Sequence, residues 1–148
     1  MTETTALYQT AAEENIPVII LDIPKNGSMC IQAESGRCYI GMDYGILPEE
    51  NIRRVHLAHE LGHCCTGSFY NRFAVCDVRQ KHENRADKWA VKKLIPVDKL
   101  DQAVADGHTE LWDLADHFGV TEDFMRKAVC WYTHGNLAVD LYCQHDAG

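Results

Sequence analysis

The feature that most constrains the fold of this chain is the segment His59–His63, with the sequence H-E-L-G-H. It lies between residues that are typical of the start and the end of a helix. Pro48 suits the first position of a helix, and Gly67 is typical of a helix end. Residues four apart lie on one face of a helix, so the two histidines face the same way. The sequence therefore predicts a helix from Pro48 to Cys65 that points two imidazoles at a single ion.

Glu60 follows the first of these histidines directly, so its carboxylate should lie beside an ion held by the pair. A carboxylate there can act as a general base, and H-E-x-x-H on a helix is the pattern of zinc peptidases. We predict that His59 and His63 are zinc ligands and that Glu60 is catalytic. The alternative is two surface histidines flanking a solvated glutamate. Gly62 disfavours it, because glycine inside a helix costs about 1 kcal/mol relative to alanine, and a closely approaching second element would explain that cost.

A catalytic zinc ion usually has three protein ligands, and Glu83 is the predicted third. It opens a second helix, expected from about residue 81 to 94 and ended by Pro96. Asp87 lies one turn later on the same face, where it can accept the free ring N–H of a ligating histidine. His82 is the rival third ligand, but it points about 100° away from Glu83.

Peptide hydrolysis also needs a donor that stabilises the oxyanion. Tyr70, His82 and His134 carry suitable groups, and the residue pattern does not choose among them. Each of these residue types is more often found in packing or at the surface.

A short helix over Thr2–Asn15 and three strand-like runs precede the active-site helix. Turn-forming residues separate the runs, which predicts a small antiparallel meander. If the last run is the sheet edge, an extended peptide can pair with it, and the alternative is an ordinary protected edge. A sheet followed by helices is an α+β domain. The three runs are Pro17–Ile23, Ser28–Ala33 and Arg37–Met42.

The tail is predicted to be helical, and Leu114, Ala115, Gly119 and Val120 have helix-turn-helix spacing. Residues 109–128 contain five acidic residues and only two basic ones, and the net charge of the chain is -8. Contact with phosphates needs the opposite balance, so we expect no direct binding to nucleic acid. The aromatic residues of the tail are expected in its core. They are Trp112, Phe118, Phe124 and Trp131.

The length of 148 residues predicts a single domain in three parts. The parts are 1–96 with the sheet and the zinc-site helices, 97–134 as a helical tail subdomain, and 135–148 as a C-terminal extension.

Seven cysteines, an odd number without a C-x-x-C pair, follow an N-terminus that lacks the features of a signal peptide. These observations predict a cytoplasmic protein whose cysteines are mostly buried free thiols. Cys64 as a metal ligand would close the open position of the site. Solid apolar runs such as Val18–Leu21 are too short to span a membrane.

The run from Glu83 to Pro96, E-N-R-A-D-K-W-A-V-K-K-L-I-P, resembles the E-x-x-A-N-x-F-A-x-x-L-L-x-P run of the ImmA/IrrE family of metallopeptidases. There, too, it follows H-E-x-x-H. The resemblance covers Tyr39 to about Trp131, with Asp87 in place of asparagine, Trp89 in place of phenylalanine and Lys93 in place of an apolar residue. It implies a minimal zincin-like core and a cytoplasmic regulatory protease, since members of the family cleave or inactivate repressors.

The resulting expectation is a zinc-dependent endopeptidase of narrow specificity that cleaves a helix-turn-helix repressor in a regulatory response, on a mobile element or under stress. The alternative is a non-catalytic regulatory protein, or a DNA-binding or adaptor protein, whose zinc site is structural or vestigial. Glu60 favours the enzyme, because a structural zinc site has no use for a base beside its metal.

Overall fold

The computed structural model of the protein describes residues 3–69 and 76–135. In these ranges the chain forms a three-stranded sheet and six helices, which confirms the predicted α+β class and the minimal zincin-like arrangement. No helix in the described ranges is long and apolar enough to cross a membrane. The elements are α1 (Glu3–Glu13), β1 (Val18–Ile20), β2 (Ser28–Gln32), β3 (Cys38–Met42), α2 (Glu50–Thr66), α3 (Cys76–Leu94), α4 (Val97–Ala105), α5 (Leu111–Phe118) and α6 (Glu122–His134).

The sheet has the order β1-β3-β2, with β3 parallel to β1 and antiparallel to β2. The predicted antiparallel meander is therefore wrong, and so is the prediction that 37–42 could be the sheet edge. Four of the five residues of β3 are buried, and a Cβ atom at Gly41 would lie 2.8 Å from the Leu21 side chain, which packs against the strand. The more apolar β1 lies at the edge, where Ile20 is 57% exposed. The apolar content of a strand therefore does not by itself show whether the strand is central or at the edge of a sheet.

Helix α2 packs against α1, β2 and β3. It starts two residues after the predicted Pro48, since Glu49 is still extended and serves as the N-cap. Its predicted end is confirmed: Gly67 has a left-handed backbone with φ of 67° and donates its N–H to the carbonyl oxygen of His63. Leu57, Ala58 and Leu61 form the buried apolar face.

A disulfide joins Cys38 of β3 to Cys64 of α2, with the two Cα atoms 6.0 Å apart. The prediction of free thiols is therefore wrong for this pair. The two residues are 26 positions apart in the chain, and only the packing of α2 on the sheet brings them together. The thiols of Cys30 and Cys130 are not in disulfides.

The chain divides into two compact units, Met1–Ala90 and Val91–Gly148. The first contains α1, the sheet, α2 and most of α3, and the second contains α4, α5 and α6. The division falls six residues before the predicted end of the first part, and the single-domain organisation stays a prediction. The C-terminal extension 136–148 lies outside the described residues.

In the second unit, α5 and α6 pack against each other. Phe118 and Phe124 are buried as predicted, and the Tyr132 hydroxyl donates a 2.7 Å hydrogen bond to the carbonyl of Ile95. Trp112, in contrast, is 58% exposed, so its assignment to the core is wrong. It lies about 200° around α5 from the buried Leu114, on the opposite side of the helix.

Candidate metal centre

The two histidines of α2 point their Nε2 atoms at one carboxylate from α3. The Nε2 atom of His59 lies 2.7 Å from one oxygen of Glu83, and the Nε2 atom of His63 lies 3.1 Å from the other. The two imidazole rings meet edge to face with their centroids 4.8 Å apart. The spacing of four residues on α2 therefore directs both histidines to one point, and α3 brings Glu83 to the same point.

The Nδ1 atoms of the two rings, opposite the Nε2 atoms, contact other groups of the protein. The Nδ1 atom of His59 lies 2.7 Å from Oδ1 of Asp87, and the Nδ1 atom of His63 contacts the main-chain carbonyl oxygen of Ser68. A carbonyl oxygen can only accept, so His63 carries its proton on Nδ1. Such partners fix the tautomer and the ring orientation, which leaves each Nε2 atom available as a ligand.

Gly62 explains how α2 and α3 come close enough to share a site. A Cβ atom at this position would overlap the carbonyl oxygen of Ala86 and lie 2.9 Å from its Cα atom. Ala86 is itself fully buried. The close approach of a second element at Gly62, expected from the sequence, is confirmed, and the element is the helix that carries Glu83 and Asp87.

The side chains of the site carry complementary charges. Burial alone would lower the pKa of His59, but hydrogen bonds to Asp87 and Glu83 outweigh it and raise this pKa to about 10. Burial alone would raise the pKa of Glu83, but hydrogen bonds to His59 and His63 hold it well below its usual range. Imidazole ligates a metal only in its neutral form, so a cation entering the site would replace ring protons. Two imidazoles and a carboxylate are the donor set that zinc takes in His₂Glu sites, and the residues fit that ion.

Glu60 lies next to the two histidines on α2 and is only 7% exposed. Its carboxylate and the ring nitrogens of His59 and His63 lie within 4.8 Å of one another, close enough to hold a metal ion. Its Oε2 atom accepts a 2.7 Å hydrogen bond from the hydroxyl of Ser28, and that hydroxyl is also 2.7 Å from Nδ1 of His56.

Ser28 and His56 are site residues that the sequence analysis missed. His56 could have been found, because it lies one turn before Glu60 on the same helix face. Ser28 carried no signal, since it is 32 positions from Glu60 in the chain and comes close only through the sheet.

The other sequence candidates have different positions. His82 is partly buried on α3 beside Glu83, but Glu83 is the residue that contacts both Nε2 atoms. His134 is exposed in the last turn of α6, in the second unit. Tyr70 lies outside the described residues. Cys64 has its sulfur in the disulfide with Cys38, so that sulfur is not a metal ligand here.

An α+β core that sets H-E-x-x-H against a carboxylate from the following helix defines a zincin-like protein of the metallopeptidase class. Residues 47–129 match the model of the peptidase M78 family, described as the IrrE N-terminal-like domain. The match covers more than half of the chain, so the chain belongs to this family, and the resemblance found in the sequence is confirmed. A search of curated proteins gave no match. Strand β2, which supplies Ser28, lies before the matched residues.

Proposed function

We propose that this protein is a zinc-dependent endopeptidase of narrow specificity that cleaves a helix-turn-helix repressor in a regulatory response. One observation carries the proposal: a buried carboxylate, Glu60, lies beside two imidazoles that converge on Glu83. A site that only held a metal for structural reasons would not need this extra carboxylate.

In this proposal His59, His63 and Glu83 hold the zinc ion. Asp87 and the Ser68 carbonyl hold the two rings through their Nδ1 atoms. When bound, zinc supplies Lewis-acid chemistry that polarises the scissile carbonyl and makes water more acidic.

Glu60 is the proposed general base. It takes a proton from the water that attacks the scissile carbonyl and delivers that proton to the amine nitrogen as the peptide C–N bond breaks. Its position on the same helix as two ligands keeps the base and the ligands in a fixed relation. An oxyanion donor is still required, and Tyr70, His82 and His134 stay predictions for that role.

The choice of substrate rests on charge and on the family. The net charge of -8 would steer the protein toward a basic partner, and DNA-binding proteins are basic. Members of the family it resembles act on repressors. A cytoplasmic location belongs to the same proposal, and cell fractionation followed by immunodetection tests it.

The decisive experiment incubates the zinc-loaded protein with a helix-turn-helix repressor encoded beside its gene and identifies products by mass spectrometry. We expect cleavage at one or a few sites and little digestion of casein. Glu60→Gln should retain zinc and fold but lose cleavage, since the nearly isosteric amide cannot accept the proton. Glu122→Gln, the same change at an exposed position of α6, is the matched control and should cleave normally.

Three results would contradict the proposal. Broad digestion of casein with the repressor left intact would exclude narrow specificity. Equal cleavage by Glu60→Gln would remove Glu60 from the mechanism. Tight binding of the repressor without any cleavage would favour the non-catalytic alternative.

A further inference from the structure

Ser28 is the first residue of β2, and its side chain is buried between two residues of α2. Its hydroxyl oxygen is 2.7 Å from Oε2 of Glu60 and 2.7 Å from Nδ1 of His56. His56 and Glu60 are one helical turn apart, so β2 inserts a single hydroxyl between two consecutive turns of the active-site helix. Both contacts are made by side chains and lie outside the main-chain hydrogen bonds of the strand and the helix.

The two short contacts together fix the direction of each proton. An ionised carboxylate can only accept, so the Ser28 hydroxyl must donate to Glu60. The hydroxyl has one proton, and its oxygen must then accept from His56, which places a proton on Nδ1 of that ring. His56 therefore donates from its Nδ1–H to the Ser28 oxygen, and the Ser28 hydroxyl donates to Oε2 of Glu60. Burial lowers the pKa of His56, which favours the neutral ring.

Cys30 of the same strand also interacts with Glu60. It lies two residues after Ser28, on the same face of β2, and its thiol interacts electrostatically with Glu60. Burial and the negative charge of Glu60 raise the pKa of Cys30 well above its usual range, so the thiol keeps its proton and adds no negative charge beside the carboxylate. Two side chains of β2 thus face the carboxylate of Glu60, and Ser28 donates a hydrogen bond to it.

We propose that Ser28 is a positioning residue for Glu60, and that His56 sets the direction of the Ser28 hydroxyl by donating to it. The inference rests on the proposed function, in which Glu60 is the general base. Anchoring Oε2 to the sheet limits rotation of the carboxylate, so the base is already oriented when substrate binds. The strand that supplies this support, β2, lies before the residues that match the family model.

The first test determines which ring nitrogen of His56 carries the proton, and it needs no substrate. The protein is labelled with ¹⁵N-histidine, and ring nitrogens are correlated with ring protons by NMR, at a pH where His56 is neutral. The His56 signals are assigned by their loss in His56→Asn. We expect a protonated Nδ1 atom and a bare Nε2 atom in His56, and a shift toward the Nε2–H tautomer in Ser28→Ala. Ser35→Ala, which deletes a hydroxyl in the exposed turn after β2, should leave the His56 signals unchanged.

The second test measures cleavage of the repressor by the zinc-loaded variants. Ser28→Ala should lower kcat about 10- to 100-fold, the effect of losing a hydrogen bond to a charged group, with KM and zinc content unchanged. Ser28→Thr keeps the hydroxyl and should restore most of kcat. His56→Asn keeps an N–H near the position of Nδ1 and should lose less activity than His56→Ala. Ser35→Ala should match the wild type.

The outcomes separate this inference from the proposed function. A His56 ring protonated on Nε2 in the wild type would show that His56 does not donate to Ser28 and would overturn the inference. Full kcat in Ser28→Ala, while Glu60→Gln is inactive, would also overturn the inference and leave the proposed function intact. If the wild type cleaves nothing, the proposed function fails, and a positioning role for Ser28 fails with it even where the tautomer is as expected.

Discussion

The two compact units of the protein differ in what they bury. All of the buried polar and charged residues among the described positions belong to the first unit, Met1–Ala90, while the buried residues of the second, Val91–Gly148, are apolar. Buried polar groups weaken a core unless they are paired, so the partner of each one indicates its role. The polar set of the first unit is Ser28, Asp43, Glu60, His63, Ser68 and Asp87.

The pairing of these groups shows which of them serve the fold and which serve the site. Asp43 accepts a 2.8 Å hydrogen bond from the main-chain N–H of Ile23, so it organises the loop before β2. Ser28, Ser68 and Asp87 instead contact Glu60 or the histidines. Substitutions of the buried residues that contact Glu60 or the histidines should therefore change metal binding and catalysis, and substitutions of the buried apolar residues of the second unit should change stability alone.

The largest effect is expected for Glu83→Gln. The amide removes the charge that faces both Nε2 atoms, so zinc affinity should fall by more than the roughly 100-fold upper limit for loss of a residue that only supports a ligand. Competition with a chromogenic chelator measures the affinity. The matched change Glu122→Gln in α6 should leave it unaltered. Zinc bound equally well by Glu83→Gln would show that Glu83 is not a ligand.

The next effect is expected in the second unit, for Met125→Ala. Met125 is fully buried in α6, and truncating a core methionine costs about 2–5 kcal/mol of unfolding free energy. Chemical denaturation followed by circular dichroism measures this loss. The folded fraction should bind zinc with wild-type affinity, and a marked loss of zinc affinity in folded Met125→Ala would break the division between the units.

A smaller effect is expected for Asp87→Ala. Asp87 holds the Nδ1 side of His59 at 2.7 Å, and loss of such a partner weakens metal binding about 10- to 100-fold. Asp87→Asn keeps an oxygen acceptor and should lose less, as asparagine occupies this place in the family run that the sequence resembles. The same chelator competition applies, and unchanged affinity in Asp87→Ala would show that Asp87 does not support the ligand.

Local patterns predicted much of this molecule. The end of α2 at Gly67 and the facing of His59 and His63 follow from helix geometry within a few residues, and the structure agrees. Gly62 indicated a close neighbour because glycine in a helix needs a reason. These features depend on short stretches of chain, where spacing and conformation are directly linked.

The features that sequence reasoning missed depend on long-range packing. The central place of β3, the Cys38–Cys64 disulfide and the contact of Ser28 with Glu60 all join residues that are distant in the chain. Strand alternation gives the presence of strands but not their order, and cysteine counting gives no pairing. Each of these needs the sheet and α2 to be assembled before it can be seen.

The contact between Gly62 and Ala86 also offers a criterion for other sequences. H-E-x-x-H occurs by chance, and the histidines of an accidental match still face the same way on any helix. What a chance match lacks is room for the next helix: a side chain before the second histidine would meet the Ala86 backbone and push away the helix that carries the carboxylate. In chains built like this one, the position directly before the second histidine therefore accepts only a residue without a side chain, and a bulky residue there would indicate a motif without its third ligand.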